Sequence, residues 1–167
     1  AGRSYTQCPL TMDYGILKQF LKTVDNKSVS VDGTAIGNAI MSGTSRLKDS
    51  KAKSKVIILL TDGANNAGSI TPLQAANVAQ AMGVKIYTVG VGKKSGSMLV
   101  PRHNPWTGEM SWGEAAIDKN QGADVGLLKA IAEKTEGAFF YANNKSELLK
   151  IYDEIDALEK TEIESHS

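Results

Sequence analysis

A carboxylate, a glycine and a hydroxyl carry the chemistry this sequence offers. Val56-Ile57-Ile58-Leu59-Leu60-Thr61-Asp62-Gly63 runs five apolar residues into a threonine and then Asp62, and Gly63 frees the backbone for a sharp turn. Upstream, Asp32-Gly33-Thr34 opens a second element with a hydroxyl. Brought to one place, the Asp62 carboxylate and the Thr34 hydroxyl are oxygen ligands of the kind a hard divalent cation takes. Each residue also has a plainer role. Asp-Gly is a common turn dipeptide, and Thr caps helices well, so position alone leaves Thr34 evenly divided between cap and ligand. Asp32 reads as a cap or hydrogen-bond partner. Asn65 and Asn66 read as residues that shape the loop after Asp62, with contact to a bound partner as the weaker alternative.

The elements that must position these groups follow from periodicity. The run Val56 to Leu60 predicts a strand buried on both faces, as in the middle of a parallel sheet. The ends of such strands are where open α/β sheets place their ligand crevice. Asp13 to Val24 carries Ile16, Leu17, Phe20, Leu21 and Val24 at helical spacing, and Gly33 to Leu47 carries Ile36, Ala39, Ile40, Gly43 and Leu47 on one face. Thr71-Pro72 is a helix entry, with Thr71 as N-cap and Gly83 suited to the C-cap. Val84 to Val91 is a second buried strand, completing a βαβ unit. Gly92 to Gly122 is a long decorated loop, with a hairpin around Asn104 to Gly108 as one form for it. Asp124 to Glu136 is a helix with Val125, Leu128, Ile131 and Ala132 inward, ended by Gly137. Ala138 to Ala142 is a third strand. Asn144 and Glu147 have capping-box spacing before a last helix with Leu148, Ile151, Ile155 and Leu158 on one stripe. Ser4 to Leu10 has the composition of an edge strand closed by Pro9.

Bulk properties narrow the class. The chain has 167 residues, with 41% hydrophobic and 22% charged residues and a formal net charge of +1. That is one soluble globular domain with no field for nucleic acid. Cys8 is alone, reads as a small buried apolar residue, and leaves the redox compartment open. His103 and His166 are far apart without cysteine partners, which is not zinc-site spacing. No apolar run approaches the roughly 18–20 residues of a membrane helix, and no signal peptide opens the chain. Ala1 in first place implies a piece of something longer.

Enzymatic motifs fail on spacing. Gly90-Val91-Gly92-Lys93-Lys94-Ser95 hints at a phosphate loop, but Tyr87 stands where the first glycine belongs and Lys94 where Ser or Thr belongs. A dinucleotide fingerprint would need glycine at Ser95. No G-x-S-x-G elbow is present, and Cys8 has no identifiable His or Asn companion. The residues do not support an enzyme.

Asp32-Gly33-Thr34-Ala35-Ile36-Gly37, Thr61-Asp62-Gly63 and Tyr87-Thr88-Val89-Gly90-Val91-Gly92 together resemble a von Willebrand factor type A domain. More narrowly, SYTQCPLTMDYG, RLKDSKAKSKVIILLTDGANNAG and IDALEKTEIE resemble the bacterial Bat (Bacteroides aerotolerance) group. The resemblance covers essentially the whole chain. It implies a Rossmann-like fold with a mostly parallel central sheet and a metal-ion-dependent adhesion site, which binds Mg²⁺ through a D-x-S-x-S loop, a Thr and an Asp. Matched motif to motif, Thr34 is the threonine and Asp62 the second aspartate, often acting through water. This match tips both residues from turn or cap to ligand.

The departure from the family is a missing D-x-S-x-S, so the resemblance implies a single domain over 1–167 that lacks the family's first strand, first helix and most of the second strand. Lys93-Lys94-Ser95-Gly96-Ser97-Met98 copies S-G-S-M, but Lys93 replaces the aspartate and repels a cation. Without a first strand beside it, Val56 to Leu60 has an open edge, where each unpaired buried backbone group costs roughly 1–3 kcal/mol. Another copy, the Ser4 to Leu10 segment or a severed fragment would fill it. The functional expectation is a metal-dependent protein-interaction domain of a bacterial membrane-anchored, Bat-like protein, facing the periplasm, with a role in oxygen or stress tolerance. Its membrane attachment would come through flanking segments. Its partner would be a protein offering a carboxylate to Mg²⁺, and the ion would be held weakly by this chain alone. The second expectation is a metal-independent scaffold in a membrane complex, working through its helices or the Gly92 to Gly122 loop. Trp106 and Trp112 either form a recognition patch or pack that loop onto the body.

Overall fold

The computed structural model describes residues 2–24, 32–92, 97–103, 110–116 and 122–165, with the backbone alone for 97–103, 110–116 and 161–165. In chain order the elements are α1 Tyr14–Lys22, α2 Ile36–Leu47, β1 Val56–Thr61, α3 Pro72–Ala81, β2 Lys85–Val91, β3 Ser97–His103, β4 Met110–Ala116, α4 Val125–Lys134, β5 Phe139–Ala142 and α5 Lys145–Ser165. Strands β1, β2 and β5 form a parallel sheet in the order β1-β2-β5. Alternation along β2 builds the two apolar layers. Ile86 faces Ile36, Ile40, Ala75, Ala76, Ala79, Leu128 and Ile131 of α2, α3 and α4. Tyr87 and Val89 face Ile151 and Ile155 of α5. Helices thus cover the sheet on both sides, a Rossmann-like arrangement.

Local chemistry starts and stops the helices as their sequences predict. Thr71 accepts from the Gln74 N–H at 3.3 Å while Gln74 returns to the Thr71 backbone, with Pro72 in the first turn. Gly83, at φ +66, follows the end of α3. At the head of α5 the Asn144 Oδ1 accepts from the Glu147 N–H at 2.9 Å. Glu147 reaches back one residue further than a capping box would, to the Asn143 N–H at 2.8 Å. The loop between β2 and α4 does contain a hairpin, β3 paired antiparallel with β4. Its turn, with Trp106, lies outside the described residues, as do Lys93 to Gly96 of the S-G-S-M decoy.

Several expectations need correction. Strand β1 is not buried on both faces. Ile57 and Leu59 pack toward α2, whereas Ile58 is 38% and Leu60 45% exposed. The cause is position: among the described residues β1 sits at the sheet edge, and the α5 layer reaches it only at Val56. Ser4 to Leu10 is not a strand. Side chains hold its start along α2, with Ser4 Oγ 2.8 Å from Ser42 Oγ and Arg46 Nε donating to Thr6 Oγ1 at 3.2 Å. It therefore does not fill the β1 edge. Cys8 is half-buried rather than a core residue. Val125 and Leu158 lie on the rim, 37% and 45% exposed. Helix α1 forms as the spacing predicts, but it buries no residue. The left-handed residue after α4 is Glu136, at φ 59, and not Gly137. Gly137 is needed for approach, since a Cβ there would lie 2.0 Å from the Ile86 carbonyl oxygen.

At the opposite edge of the sheet from Asp62, a clamp fixes α5. Glu159 accepts hydrogen bonds from Ser54 Oγ at 2.5 Å and Tyr87 Oη at 2.7 Å, and pairs with Lys85 Nζ at 3.3 Å. Burial works against its ionised form, but the bonds from Ser54, Tyr87 and Lys85 and the lysine charge outweigh it, so the carboxyl titrates below its ordinary value. A carboxyl lowered in the folded state adds stability above its unfolded pKa and loses it as pH falls through the folded value. Glu159→Gln is therefore expected to cost about 1–3 kcal/mol at neutral pH. The deficit should shrink once pH drops below the usual carboxylate range. Urea unfolding of both forms at neutral and acid pH measures this; a deficit that stays constant would assign the loss to packing.

Candidate functional site

The parallel register brings the candidate groups to one edge. Thr61 pairs with Gly90 and Gly90 with Tyr141, which makes the last full row of the sheet. Asp62 is the next residue, just beyond the C-terminal edge, where the strand-end rule places a crevice. The turn is built locally: Thr61 Oγ1 accepts from the Gly63 N–H at 3.3 Å and donates to the Gly63 carbonyl at 3.0 Å. This side-chain turn swings the chain off the sheet and leaves Asp62 exposed. Among the described residues, the Asp62 carboxylate has no ion pair or hydrogen bond.

Thr34 arrives at the same place from the segment before α2. A Cβ built on Gly63 would lie 3.1 Å from Thr34 Oγ1, so that hydroxyl rests against the turn carrying Asp62. Thr34 does not cap α2. The N-cap position is Ala35, which has no side-chain bond to give, and Asp32 stands too far upstream to serve. Capping comes instead from across the site. Asn65 Oδ1 accepts the Ile36 N–H at 2.8 Å, and Asn66 Oδ1 accepts the Thr34 N–H at 2.7 Å. The Thr34 carbonyl in turn accepts from the Asn66 and Ala67 N–H groups at 3.0 and 3.2 Å. Four hydrogen bonds thus sew the Thr34 segment to the loop after β1. Sequence reasoning saw that Asn65 and Asn66 shape a loop but not that they hold the head of α2. Helix α2 closes on the same loop at Gly37, where a Cβ would lie 2.0 Å from the Ile70 carbonyl oxygen.

The donor set fits a hard cation in kind: one free carboxylate and one hydroxyl, both oxygen. Its size is limited. Among the described residues no group of three or more His, Cys, Asp or Glu side chains is placed to hold a metal.

Helices on both faces of a parallel sheet define a Rossmann-like domain, and a carboxylate and a hydroxyl stand at its strand ends. The von Willebrand factor type A domain pattern matches residues 1–154, and the chain belongs to that family. It is 33% identical over 113 residues to an uncharacterized protein of Borreliella burgdorferi, across 68% of this chain and 31% of that relative's length. It is similar to the crystal structure of an uncharacterized membrane spanning protein from Vibrio fischeri, with 36% identity and a TM-score of 0.52 over 94% of this chain and 72% of that one. It is also similar to the conserved hypothetical protein BatB from Bacteroides thetaiotaomicron, with 28% identity and a TM-score of 0.72 over 96% of this chain and 76% of that one. Among the described residues, no helix is long and apolar enough to cross a membrane.

The Gly37 contact gives a direct test of how the edge is assembled. Gly37→Ala drives a methyl into the Ile70 backbone, which cannot rotate away, and should destabilise the fold by about 3 kcal/mol or more. The neighbouring Gly43→Ala meets only the movable end of the Ile57 side chain, at 3.0 Å, and should cost about 1 kcal/mol. Thermal or urea unfolding ranks the two; equal costs would mean that the loop is not held against α2.

Proposed function

We propose that this domain is a metal-assisted protein-interaction module, with Asp62 and Thr34 as the metal-binding residues this chain supplies. The observation that carries the proposal is the Thr34 hydroxyl resting against Gly63, beside an exposed carboxylate with no described partner. Mg²⁺, or a similar hard cation, would be held by the Asp62 carboxylate, directly or through water, and by the Thr34 hydroxyl. Bound there, the ion supplies positive charge that a partner's carboxylate neutralises, which links two proteins without breaking a bond. Asn66, exposed at the same edge, lies where a partner would pass. Trp106, in the turn between β3 and β4, is a further partner-contact candidate from sequence alone.

The D-x-S-x-S ligands that complete the family's adhesion site are not in this sequence. Weak Mg²⁺ binding by this chain is the corresponding expectation. Similarity to a membrane spanning protein supports a bacterial membrane protein as the setting; a domain facing the periplasm and a role in oxygen or stress tolerance complete the proposal. Calorimetric titration with MgCl₂ should give no saturable binding in the micromolar range. Micromolar affinity abolished by Asp62→Ala would show instead that the remaining ligands already lie in this chain. Partner capture with and without chelator then separates metal-assisted binding from a metal-independent scaffold.

One observation favours that second reading. Among the described residues, strand β1 pairs on one side only, and Ile58 and Leu60 stand exposed beside that edge. An uncharged apolar edge of this kind pairs readily with another strand, including that of a second copy. Light scattering after size exclusion in EDTA should show mass rising with protein concentration, and Ile58→Lys should return the chain to a monomer. A monomer at every concentration would exclude self-association through β1.

A further inference from the structure

We infer that Asn65 and Asn66 are positioning residues of the Asp62–Thr34 site, acting on a bound ion only through Thr34 and the head of α2. This rests on the metal reading above, but it assigns the two asparagines a different task from partner contact. The atoms facing the Thr34 and Ile36 N–H groups must be amide oxygens, because an N–H needs an acceptor. Both oxygens are engaged, at 2.7 and 2.8 Å. In an asparagine the oxygen is the group a hard cation would take, and here each already spends one of its two lone pairs on the backbone. What the pair sets is the place of the Thr34 hydroxyl. Ala35 offers no cap, and the return bonds from the Asn66 and Ala67 N–H groups to the Thr34 carbonyl fix the segment from its other side. With Asn66 removed, the Thr34 N–H loses its acceptor and its hydroxyl loses its fixed seat against Gly63.

The experiment uses the whole chain, with Mn²⁺ as the probe and backbone amide NMR as the readout, because paramagnetic broadening registers weak binding. In the unmodified chain, broadening should centre on Asp62, Gly63 and Thr34. Asn66→Ala should weaken Mn²⁺ binding about three- to tenfold, the change expected from losing one net hydrogen bond. Thr34→Val should weaken it at least as much, and the double variant no more than Thr34→Val alone. Losses that multiply in the double variant would mean that Asn66 meets the ion by itself, which overturns the inference. A metal-free measurement keeps the two ideas separable. Asn66→Ala should speed amide exchange at Thr34, Asn65→Ala should speed it at Ile36, and Asn66→Asp, which keeps an acceptor oxygen, should restore protection at Thr34. Unchanged exchange would sink the positioning role even where Mn²⁺ binds. Absent broadening with altered exchange would sink the metal reading and leave the positioning of Thr34 standing.

Discussion

Strand β2 has a neighbour on each side, and both apolar layers close against it. Ile86, Thr88 and Val89 are fully buried and Tyr87 is 3% exposed. Its two faces do different work: one receives α3 and α4, the other receives α5. Two buried threonine hydroxyls are paired within this frame. Thr88 Oγ1 donates to the Leu128 carbonyl at 2.9 Å, and Thr135 Oγ1 takes the Ile86 N–H at 3.0 Å. These bonds fix α4 along β2 as well as across it, which apolar contact alone does not do. The parallel register then passes from β2 to β1 and sets how far Asp62 stands beyond the sheet.

The two edges of the sheet carry opposite designs. At the C-terminal edge, loops meet through asparagine side chains and backbone bonds and leave a carboxylate uncommitted among the described residues. At the N-terminal edge, the Glu159 carboxylate is fully engaged by a hydroxyl, a phenol and an ammonium. Helix α5 runs between the edges, starting beside β5 and passing through that clamp at Glu159. An acid with three donors strengthens a structure; an acid left open is available to a ligand. The contrast is what marks Asp62 out, because its residue type alone does not.

Much of this was legible in the chain, for local reasons. Thr71-Pro72, Gly83, and Asn144 with Glu147 mark helix ends through bonds that span three or four residues, so spacing reveals them. The order of strands and helices follows from periodicity in the same way. Burial of β1 was misjudged because an apolar run reports what a strand is made of and not which neighbours it finds. Ser4 to Leu10 has strand composition but is captured by side-chain bonds to Ser42 and Arg46, tens of residues away. The Ser54–Glu159 bond joins residues 105 apart. The Asn66–Thr34 stitch runs backwards over 32. No periodic or capping pattern encodes such pairs; the register of the finished sheet creates them.

Because the loop after β1 is anchored at Thr61, at Asn65 and Asn66, and again where Ile70 meets Gly37, it has no slack. One added residue would have to be absorbed between fixed points only a few residues apart. Lengthening this stretch would therefore pull on several of those anchors at once.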